Sequence, residues 1–362
     1  MLNSGSTLRA LSISVRDILL AGFTASILSC ACVSSAQVLP NNTALGWGPR
    51  LPELAPKLVG YLPDYDGSYA DFAKSLDFSK MTHLYLAFGL PPFCNGICTT
   101  DSDMTFSLGQ TDDDIKKLVD AAHKAGVEVI LSIGGGGGDQ QILQFYNAGL
   151  SKPLVKSLNV YVHDHNLDGV DLDIEDPNNM GEPYAEFTQV LVDTFRPQHK
   201  IVTAAVAEYL QDAMPDKALH MFDFVNVMNY SNYSDAVTAM DYYANEKKVP
   251  KERITLGVPF FAQSGDGNIE ETYSTVLAAY PDAWQYDMVS GGSLDGGITL
   301  YYVGQDTMAR ETELGKEYGG IMIWELSQDV SGPYSLYKVI EDHLPAKRRH
   351  PFPPSDFPSD SR

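Results

Sequence analysis

Short apolar runs alternate with helical patterns along most of this chain, and the alternation limits the possible folds more than any other feature. Most of the runs are nearly continuous in apolar residues and rich in branched side chains, as strands buried on both faces require. The eight predicted strands cover residues 58–62, 83–88, 128–132, 169–174, 201–207, 222–228, 254–260 and 320–324. No internal repeat or low-complexity linker divides this body, which we therefore interpret as one domain.

Amphipathic helices are predicted between the strands, and Asp112–Lys124 is a clear example. Its apolar residues fall on one helical face: Ile115, Leu118, Val119 and Ala122. Eight strands that alternate with helices predict an α/β fold, a single (β/α)8 TIM barrel, whose functional site lies at the C-terminal ends of its strands. A doubly wound sheet with one strand pair reversed in order is the alternative, which the strand count disfavours.

The two ends of the chain differ in composition from the body. Arg9 and Arg16 precede an apolar stretch and the small residues Ser34-Ser35-Ala36, a pattern typical of a secretory signal peptide over residues 1–36. We therefore expect a secreted, extracellular protein without membrane attachment after cleavage behind Ala36; lipidation at Cys30 is the alternative. Residues 37–56 are predicted to be a lead-in, 57–344 the barrel domain and 345–362 a disordered Pro-rich tail.

Charge narrows the classes of partner. The chain has 25 Lys and Arg against 47 Asp and Glu, a net charge of −22, and a field of this sign repels phosphate backbones and anionic lipid surfaces. Nucleic-acid binding is therefore disfavoured, whereas neutral or cationic polymers remain open as partners. We further expect a monomer that uses no cofactor and no metal ion.

Two cysteines remain if the signal peptide is removed. Cys94 and Cys98 lie among turn residues and are expected to close a small disulfide loop in an oxidising compartment. A metal site would require more ligands than these two thiols, and the sequence places no histidine beside them.

The strongest chemical signal is a strand with carboxylates at alternate positions, in the segment 168–175, Asp-Gly-Val-Asp-Leu-Asp-Ile-Glu. Residues two apart on a strand share a face, so Asp171, Asp173 and Glu175 are predicted to project together into the barrel. Because like charges in a low dielectric cannot all ionise, the pKa of at least one member should be raised. Glu175, the outermost, is the candidate general acid. A metal site or a solvated acidic turn is the alternative interpretation.

This segment resembles the DxxDxDxE signature of glycoside hydrolase family 18, which comprises chitinases and endo-β-N-acetylglucosaminidases. Further motifs are similar in the same order: SxGG at 132–135, MxY at 228–230, and the family's patterns on the first, second, seventh and eighth strands at 60–61, 87–89, 257–260 and 320–324. The resemblance covers roughly residues 57–343.

The resemblance implies substrate-assisted catalysis with retention. Glu175 would protonate the glycosidic oxygen while the substrate's own 2-acetamido carbonyl attacks C1 and forms an oxazolinium ion. Asp173 would orient the acetamido group, Asp171 would hold the proton network of Asp173, and Tyr230 would donate to the acetamido oxygen. The implied substrate-binding residues are Tyr61, Phe88, Gly135, Met228, Ser231 and Trp324, the last stacked beneath the reacting sugar.

Two departures from the family pattern lead to expectations of their own. Ser231 follows the MxY tyrosine where the family usually has Asp or Asn, and its short neutral side chain is expected to reduce the rate or alter the pH dependence without abolishing activity. The segment 261–319 has no room for both a seventh helix and the full α+β insertion that walls one side of the cleft in many chitinases. We therefore expect a shallower groove that favours internal cuts.

The sequence leaves three functions to be compared. The favoured one is a secreted, endo-acting chitinase that cleaves β-1,4 linkages between N-acetylglucosamine units of chitin or its oligomers. An endo-β-N-acetylglucosaminidase that cuts the chitobiose core of N-glycans would use the same acetamido chemistry. The third is a non-catalytic, lectin-like relative that binds chitin oligomers; such a protein commonly lacks the acid or the acetamido-orienting residues, whereas Glu175, Asp173 and Tyr230 are present here.

Overall fold

The computed structural model describes residues 55–175, 181–210, 212–291 and 294–345. The predicted signal peptide, nearly all of the lead-in and nearly all of the predicted tail lie outside the described residues, so those expectations remain predictions. The described ranges contain all eight of the predicted barrel strands.

Eight parallel strands close into a barrel in the order β1-β12-β7-β6-β5-β4-β3-β2, which confirms the predicted (β/α)8 fold and excludes the doubly wound alternative. The barrel strands are β1 Lys57–Pro63, β2 His83–Gly89, β3 Glu128–Gly134, β4 Gly169–Asp173, β5 Ile201–Ala207, β6 Val225–Met228, β7 Ile254–Pro259 and β12 Gly320–Trp324. The predicted bounds differ at the ends: β3 runs to Gly134 rather than 132, and β6 begins at Val225 rather than 222.

Helices connect the strands, as the alternation predicts. They are α1 Tyr69–Ser75, α2 Asp112–Lys124, α3 Asp139–Asn147, α4 Ser151–Asp164, α5 Glu182–Phe195, α6 Asp216–Leu219, α7 Tyr233–Asn245, α8 Tyr273–Ala279, α9 Gln305–Lys316 and α10 Leu336–His343. Helix α2 begins at Asp112 because the Thr111 side chain accepts a hydrogen bond from the Asp114 backbone N–H, and its acidic first turn suits the helix dipole. Among the described residues, no helix is long and apolar enough to span a membrane.

Side chains on the barrel strands alternate between two layers. The outward layer packs between the strands and the helices and includes Val170 and Leu172 of β4. The inward layer fills the barrel interior and includes Tyr61 and Tyr85. Because β4 also sends the fully buried Asp171 into this interior, the inward layer must supply polar partners as well as apolar packing.

A small insertion lies between β7 and α9. It contains four short strands, β8 Phe261–Ser264, β9 Glu270–Thr272, β10 Met288–Val289 and β11 Leu300–Tyr301, which form an antiparallel sheet in the order β10-β11-β8-β9. Helix α8 belongs to the insertion, and α9 serves as the seventh barrel helix. Sequence analysis expected that the full insertion would be missing; the structure adds that a compact sheet occupies this position.

The predicted disulfide is present, since Cys94 and Cys98 are bonded to each other. The Cys94 backbone N–H donates to Gln144 Oε1 at 2.8 Å. This hydrogen bond joins the disulfide loop, which follows β2, to helix α3.

The buried face of α9 contains one carboxyl group. Glu311 is 0 % exposed, and neither of its oxygens has a hydrogen-bond partner among the described residues. Burial, reinforced by the charge of Asp287, raises the pKa of Glu311 to about 8. Because the unfolded chain ionises this group at a much lower pH, the folded state loses stability as the pH rises from the ordinary glutamate pKa toward 8.

We predict that Glu311→Met raises the free energy of unfolding at neutral pH by about 1–3 kcal/mol, because methionine occupies a similar volume without an unpaired polar group. The gain should shrink in acid, where the carboxyl group is protonated in both the folded and the unfolded state. Chemical denaturation at neutral and at acidic pH measures the gain in the free energy of unfolding. Glu313→Met, at an exposed position of the same helix, is the matched control, and an equal gain there would contradict this explanation.

Candidate active site

The carboxylate ladder, Asp171, Asp173 and Glu175, lies at the C-terminal end of β4. Asp171 and Asp173 belong to the strand, and Glu175 follows two residues after its end. Strand β4 pairs with β3 and β5, so that Gly134 is opposite Asp173 and Thr203 is opposite Asp171. The ladder therefore runs from the buried interior, where Asp171 is 0 % exposed, to a half-buried position at the rim.

Three hydroxyl groups hold Asp171 in place. Tyr61 Oη and Ser132 Oγ donate to Asp171 Oδ2 at 2.8 and 2.7 Å, and Thr203 Oγ1 donates to Oδ1 at 2.7 Å. Burial raises the pKa of Asp171 to about 6, and these hydrogen bonds offset only part of that effect. The ionised form of Asp171 is consequently the form that all three donors stabilise.

A second layer of polar side chains supports the donors to Asp171. Its hydrogen bonds join Tyr85 Oη to Thr203 Oγ1 (2.9 Å), Asn226 Nδ2 to Tyr61 Oη (3.2 Å) and Thr255 Oγ1 to Asn226 Oδ1 (2.6 Å). Sequence analysis missed Tyr85, Thr203, Asn226 and Thr255. The signal that identifies them is a polar group at an inward position of an otherwise apolar strand, since such a group has to find a partner inside the barrel.

Asp173 differs from Asp171 in its hydrogen bonding. It is 3 % exposed, and its Oδ1 has no hydrogen-bond partner among the described residues. Burial, followed by the charges of Glu175 and Asp171, raises the pKa of Asp173 well above its ordinary value. Asp173 is therefore the member of the ladder best placed to share a proton or to bind a polar group of a ligand.

Glu175 is half-buried at the rim. Its backbone N–H donates to Asp139 Oδ2 at 3.1 Å, and its Oε2 accepts from Tyr209 Oη at 3.5 Å. Burial and the charge of Asp139 raise the pKa of Glu175, and the bond from Tyr209 offsets only part of this. Glu175 therefore keeps a proton at pH values where an ordinary glutamate has lost it, as a general acid requires. Sequence analysis missed both Asp139 and Tyr209, which come from α3 and from the turn after β5.

The glycines at the end of β3, Gly134 and Gly135, are explained by close packing. A Cβ atom at Gly134 would lie 2.0 Å from the carbonyl oxygen of Asp173, and one at Gly135 would lie 2.4 Å from the ring of Phe88. Their φ angles of +105° and +77° are adopted by glycine without strain. The Gly135 N–H also donates to the Asp173 carbonyl at 2.8 Å. Gly135 thus positions backbone beside the ladder.

Aromatic residues predicted to bind substrate form one cluster at the strand ends. The Trp324 ring stacks on Phe88 with centroids 5.6 Å apart, and it is tilted against Tyr61 at 5.7 Å. Tyr230 meets Phe261 edge-to-face at 5.4 Å. Burial, reinforced by the charges of the ladder, raises the pKa of Tyr230 well above its ordinary value, so its hydroxyl group stays a hydrogen-bond donor.

Met228 and Ser231 have different surroundings. Met228 is partly buried against the interior cluster that contains Tyr61. Ser231 is exposed, and its Oγ donates to Asp235 Oδ2 in the first turn of α7 at 2.7 Å. The role of Ser231 toward a substrate stays a prediction.

An eight-stranded parallel barrel with a carboxylate ladder at the C-terminal end of one strand and an aromatic cluster beside it is the architecture of a (β/α)8 glycoside hydrolase. Within the described ranges, no group of three or more His, Cys, Asp or Glu side chains is arranged to hold a metal ion. The profile of glycosyl hydrolases family 18 matches residues 57–329, and the chain belongs to this family.

Solved structures of similar fold include family 18 chitinases. One from the chitin utilization locus of Flavobacterium johnsoniae has a TM-score of 0.67 at 25 % identity, over 80 % of this chain and 94 % of that one. A family 18 chitinase of Cycas revoluta, solved in complex with (GlcNAc)3, has a TM-score of 0.62 at 17 % identity, over 79 % of this chain and 98 % of that one. This second likeness establishes the fold alone.

Curated relatives match over part of their length. An endochitinase of Brugia malayi is 23 % identical over 313 residues, 65 % of this chain and 61 % of the relative. A chitinase-like effector of Moniliophthora perniciosa is 35 % identical over 123 residues, 33 % of this chain and 26 % of the relative. The chain thus spans less than two thirds of the length of either relative.

We predict that Thr203→Val lowers the free energy of unfolding by about 1–3 kcal/mol, because it leaves Asp171 Oδ1 and Tyr85 Oη without this partner while nearly preserving shape. Thr188→Val is the matched control: Thr188 is also buried, but its hydroxyl donates to the Tyr184 carbonyl of its own helix, so its loss should cost less. Urea denaturation of both variants measures the difference. Equal costs would contradict the supporting role of Thr203.

Proposed function

We propose that the protein is a secreted, endo-acting chitinase that hydrolyses β-1,4 linkages between N-acetylglucosamine units with retention. The observation that carries the proposal is that hydrogen bonding and burial change from one carboxyl group of the ladder to the next. Asp171 accepts three hydrogen bonds, Asp173 has a buried oxygen without a partner among the described residues, and Glu175 lies at the rim with a raised pKa. Substrate-assisted hydrolysis requires this division between a group that orients the acetamido function and a proton donor.

In the first step Glu175 donates its proton to the glycosidic oxygen, and the bond between that oxygen and C1 breaks. The carbonyl oxygen of the substrate's own 2-acetamido group bonds to C1 and gives an oxazolinium ion. The positive charge then lies on the oxazolinium ion and the negative charge on the Glu175 carboxylate. The raised pKa of Glu175 keeps the proton available at the working pH.

The surrounding side chains stabilise ring closure. Asp173 accepts the acetamido N–H and offsets the developing positive charge, and Asp171 holds the proton network of Asp173. The Tyr230 hydroxyl group donates to the acetamido oxygen. Trp324, stacked on Phe88, offers a flat apolar surface to the C–H groups of the reacting sugar.

In the second step a water molecule attacks C1 from the side that the leaving group vacated. The Glu175 carboxylate takes a proton from this water, and the bond between C1 and the acetamido oxygen breaks. The acetamido group and the Glu175 acid are thereby regenerated. Two displacements at C1 give overall retention of configuration.

Secretion and internal cleavage have separate support. The disulfide between Cys94 and Cys98 is a bond that persists in oxidising compartments, in agreement with the predicted signal peptide. The small size of the insertion favours a shallow groove, in which an internal segment of a polymer can lie. The Brugia malayi relative is named an endochitinase, which agrees with this mode. We propose that the enzyme acts as a monomer.

The experiments described below also distinguish two other functions. Cleavage of N-glycan chitobiose cores would use the same residues and the same acetamido chemistry. Binding of chitin oligomers without turnover is the second candidate function, because Ser231 departs from the family pattern and one relative is named a chitinase-like effector. The complete ladder and Tyr230 favour catalysis over this candidate.

We predict that Glu175→Gln reduces the hydrolysis of soluble chitin oligomers by about 10²–10⁴-fold, because an amide cannot supply the acid proton. Oligomer binding should be retained, since the amide is close in shape to the protonated acid. Product chromatography and calorimetric titration measure the two effects. Glu186→Gln, at an exposed glutamate of α5, is the matched control and should change neither.

The wild-type products distinguish the candidate functions. Release of short N-acetylglucosamine oligomers by the wild type, lost in Glu175→Gln, would support the chitinase. Release of N-glycans from a high-mannose glycoprotein would replace it with the endo-β-N-acetylglucosaminidase. Oligomer binding without turnover of either substrate would leave the lectin-like function.

We predict that Asp139→Asn moves the alkaline limb of the pH profile of kcat/KM to lower pH. The amide keeps an acceptor for the Glu175 N–H but removes the charge that raises the pKa of Glu175. Because the protonated acid is the active form, a lower pKa ends activity at a lower pH. Oligomer hydrolysis across the pH range measures the shift, with Asp120→Asn on the exposed side of α2 as the control. An alkaline limb that stays in place would rule out this electrostatic role.

A further inference from the structure

Two N-glycosylation sequons follow each other directly after β6. They are Asn229-Tyr230-Ser231 and Asn232-Tyr233-Ser234, each an asparagine with a serine two positions later. Among the described residues no other asparagine is followed by this pattern; a third sequon, at residues 41–43, lies outside them. The two asparagines differ in burial and in hydrogen bonding, and these properties decide which of them can carry a glycan in the folded protein.

Asn229 is enclosed by packed protein. The residue is 1 % exposed, and its Nδ2 and Oδ1 are both buried without a hydrogen-bond partner among the described residues. A glycan is bulky and strongly hydrated, whereas a protein interior is packed too densely to hold one. The folded barrel is therefore incompatible with a glycan on Asn229.

Asn232 lies in the turn between β6 and α7, and it is exposed. It caps α7, because its Oδ1 accepts from the backbone N–H groups of Ser234 and Asp235 at 2.9 and 3.2 Å. Its Nδ2 donates to Asp235 Oδ2 at 2.8 Å and to Ser231 Oγ at 3.3 Å. The helix cap thus depends on the side-chain oxygen, and a glycan would be attached to the nitrogen.

The turn can accept a glycan without rearrangement. An asparagine side chain has two N–H hydrogens, and glycosylation replaces one of them. The remaining hydrogen is sufficient for the shorter bond to Asp235, so only the longer contact with Ser231 is lost. Tyr233 packs its ring against the Arg310 guanidinium of α9, 4.0 Å from the ring centroid, while Asn232 and Ser234 on either side of it are exposed.

We propose that Asn232 is an N-glycosylation site and that Asn229 is not. The inference rests on secretion as part of the proposed function, because N-glycans are added to secreted proteins. In the transfer, Asn232 Nδ2 bonds to C1 of the first N-acetylglucosamine of a lipid-linked oligosaccharide pyrophosphate. The bond between C1 and the pyrophosphate oxygen breaks, the lipid pyrophosphate leaves, and the amide loses one proton.

The position of Asn232 places this glycan near the candidate active site. The turn after β6 lies at the C-terminal end of the barrel strands, as the carboxylate ladder does. Asn232 also follows Tyr230 of the aromatic cluster by two positions. The glycan therefore projects from the substrate end of the barrel, so protein made with and without N-glycosylation differs beside the site.

Mass spectrometry tests the proposal on the full chain, expressed with its predicted signal peptide in eukaryotic cells that N-glycosylate secreted proteins. An N-glycosidase acting in heavy-oxygen water converts each glycosylated asparagine to labelled aspartate, and peptide fragmentation locates the label. We expect a label at residue 232 and none at residue 229. Secreted protein without a label at residue 232, or folded protein with one at residue 229, would overturn the proposal while leaving the proposed function in place.

Variants of the two serines provide an independent measurement. Ser234→Ala removes the second sequon but keeps the backbone N–H that Asn232 caps, so the intact protein should lose the mass of one glycan. Ser234→Thr preserves the sequon and should keep that mass. Ser231→Ala, the matched control, removes the first sequon and should also keep it.

An unchanged glycan mass in Ser234→Ala, or a lost glycan in Ser231→Ala, would contradict the assignment to Asn232. Retention of the chain inside the cells with its signal peptide uncleaved would overturn the proposed secretion and the glycosylation site together. Cleavage of the signal peptide, read from the N-terminal peptide of the secreted protein, distinguishes these results.

Discussion

The cost of burying carboxyl groups side by side is the constraint on which the rest of the site depends. Burial raises the pKa of all three members of the ladder, and their charges repel one another in a low dielectric. The compensating donors come from other strands: Tyr61 from β1, Ser132 from β3 and Thr203 from β5. Ser132 and Thr203 lie on the two strands that pair directly with β4, whereas Tyr61 reaches Asp171 from a strand that is not its neighbour, so the set of donors is complete only when the barrel is closed.

The uneven distribution of these donors separates the roles of the carboxyl groups. All three donors reach Asp171, whereas Asp173 Oδ1 has no partner in the part of the chain that the structure describes. A ladder in which every carboxyl group accepted three hydrogen bonds would be held in its ionised form and would have no acid to offer. Protons are instead retained toward the rim, where Glu175 also lies within the field of Asp139.

Local periodicity was sufficient to predict the strands and the common face of Asp171 and Asp173, because alternation along a strand is a short-range property. The donors could not be predicted in the same way, since Thr203 lies opposite Asp171 only through the pairing of β4 with β5. Asp139 is likewise 36 positions from Glu175 in the chain. The insertion sheet was missed for another reason: β10 and β11 have 2 residues each, too few to produce a pattern.

A single residue joins β7 of the barrel to β8 of the insertion sheet, and its contacts fix where the sheet begins. Phe260, between β7 and β8, is 0 % exposed. Its N–H donates to the Trp324 carbonyl at 2.7 Å, and its carbonyl accepts from the Tyr273 N–H of α8 at 3.0 Å. Strand β8 therefore starts from a residue bonded both to the aromatic cluster and to the insertion's own helix. Because no flexible linker intervenes between β7 and β8, side chains on the sheet are positioned by the same framework that positions the carboxylate ladder.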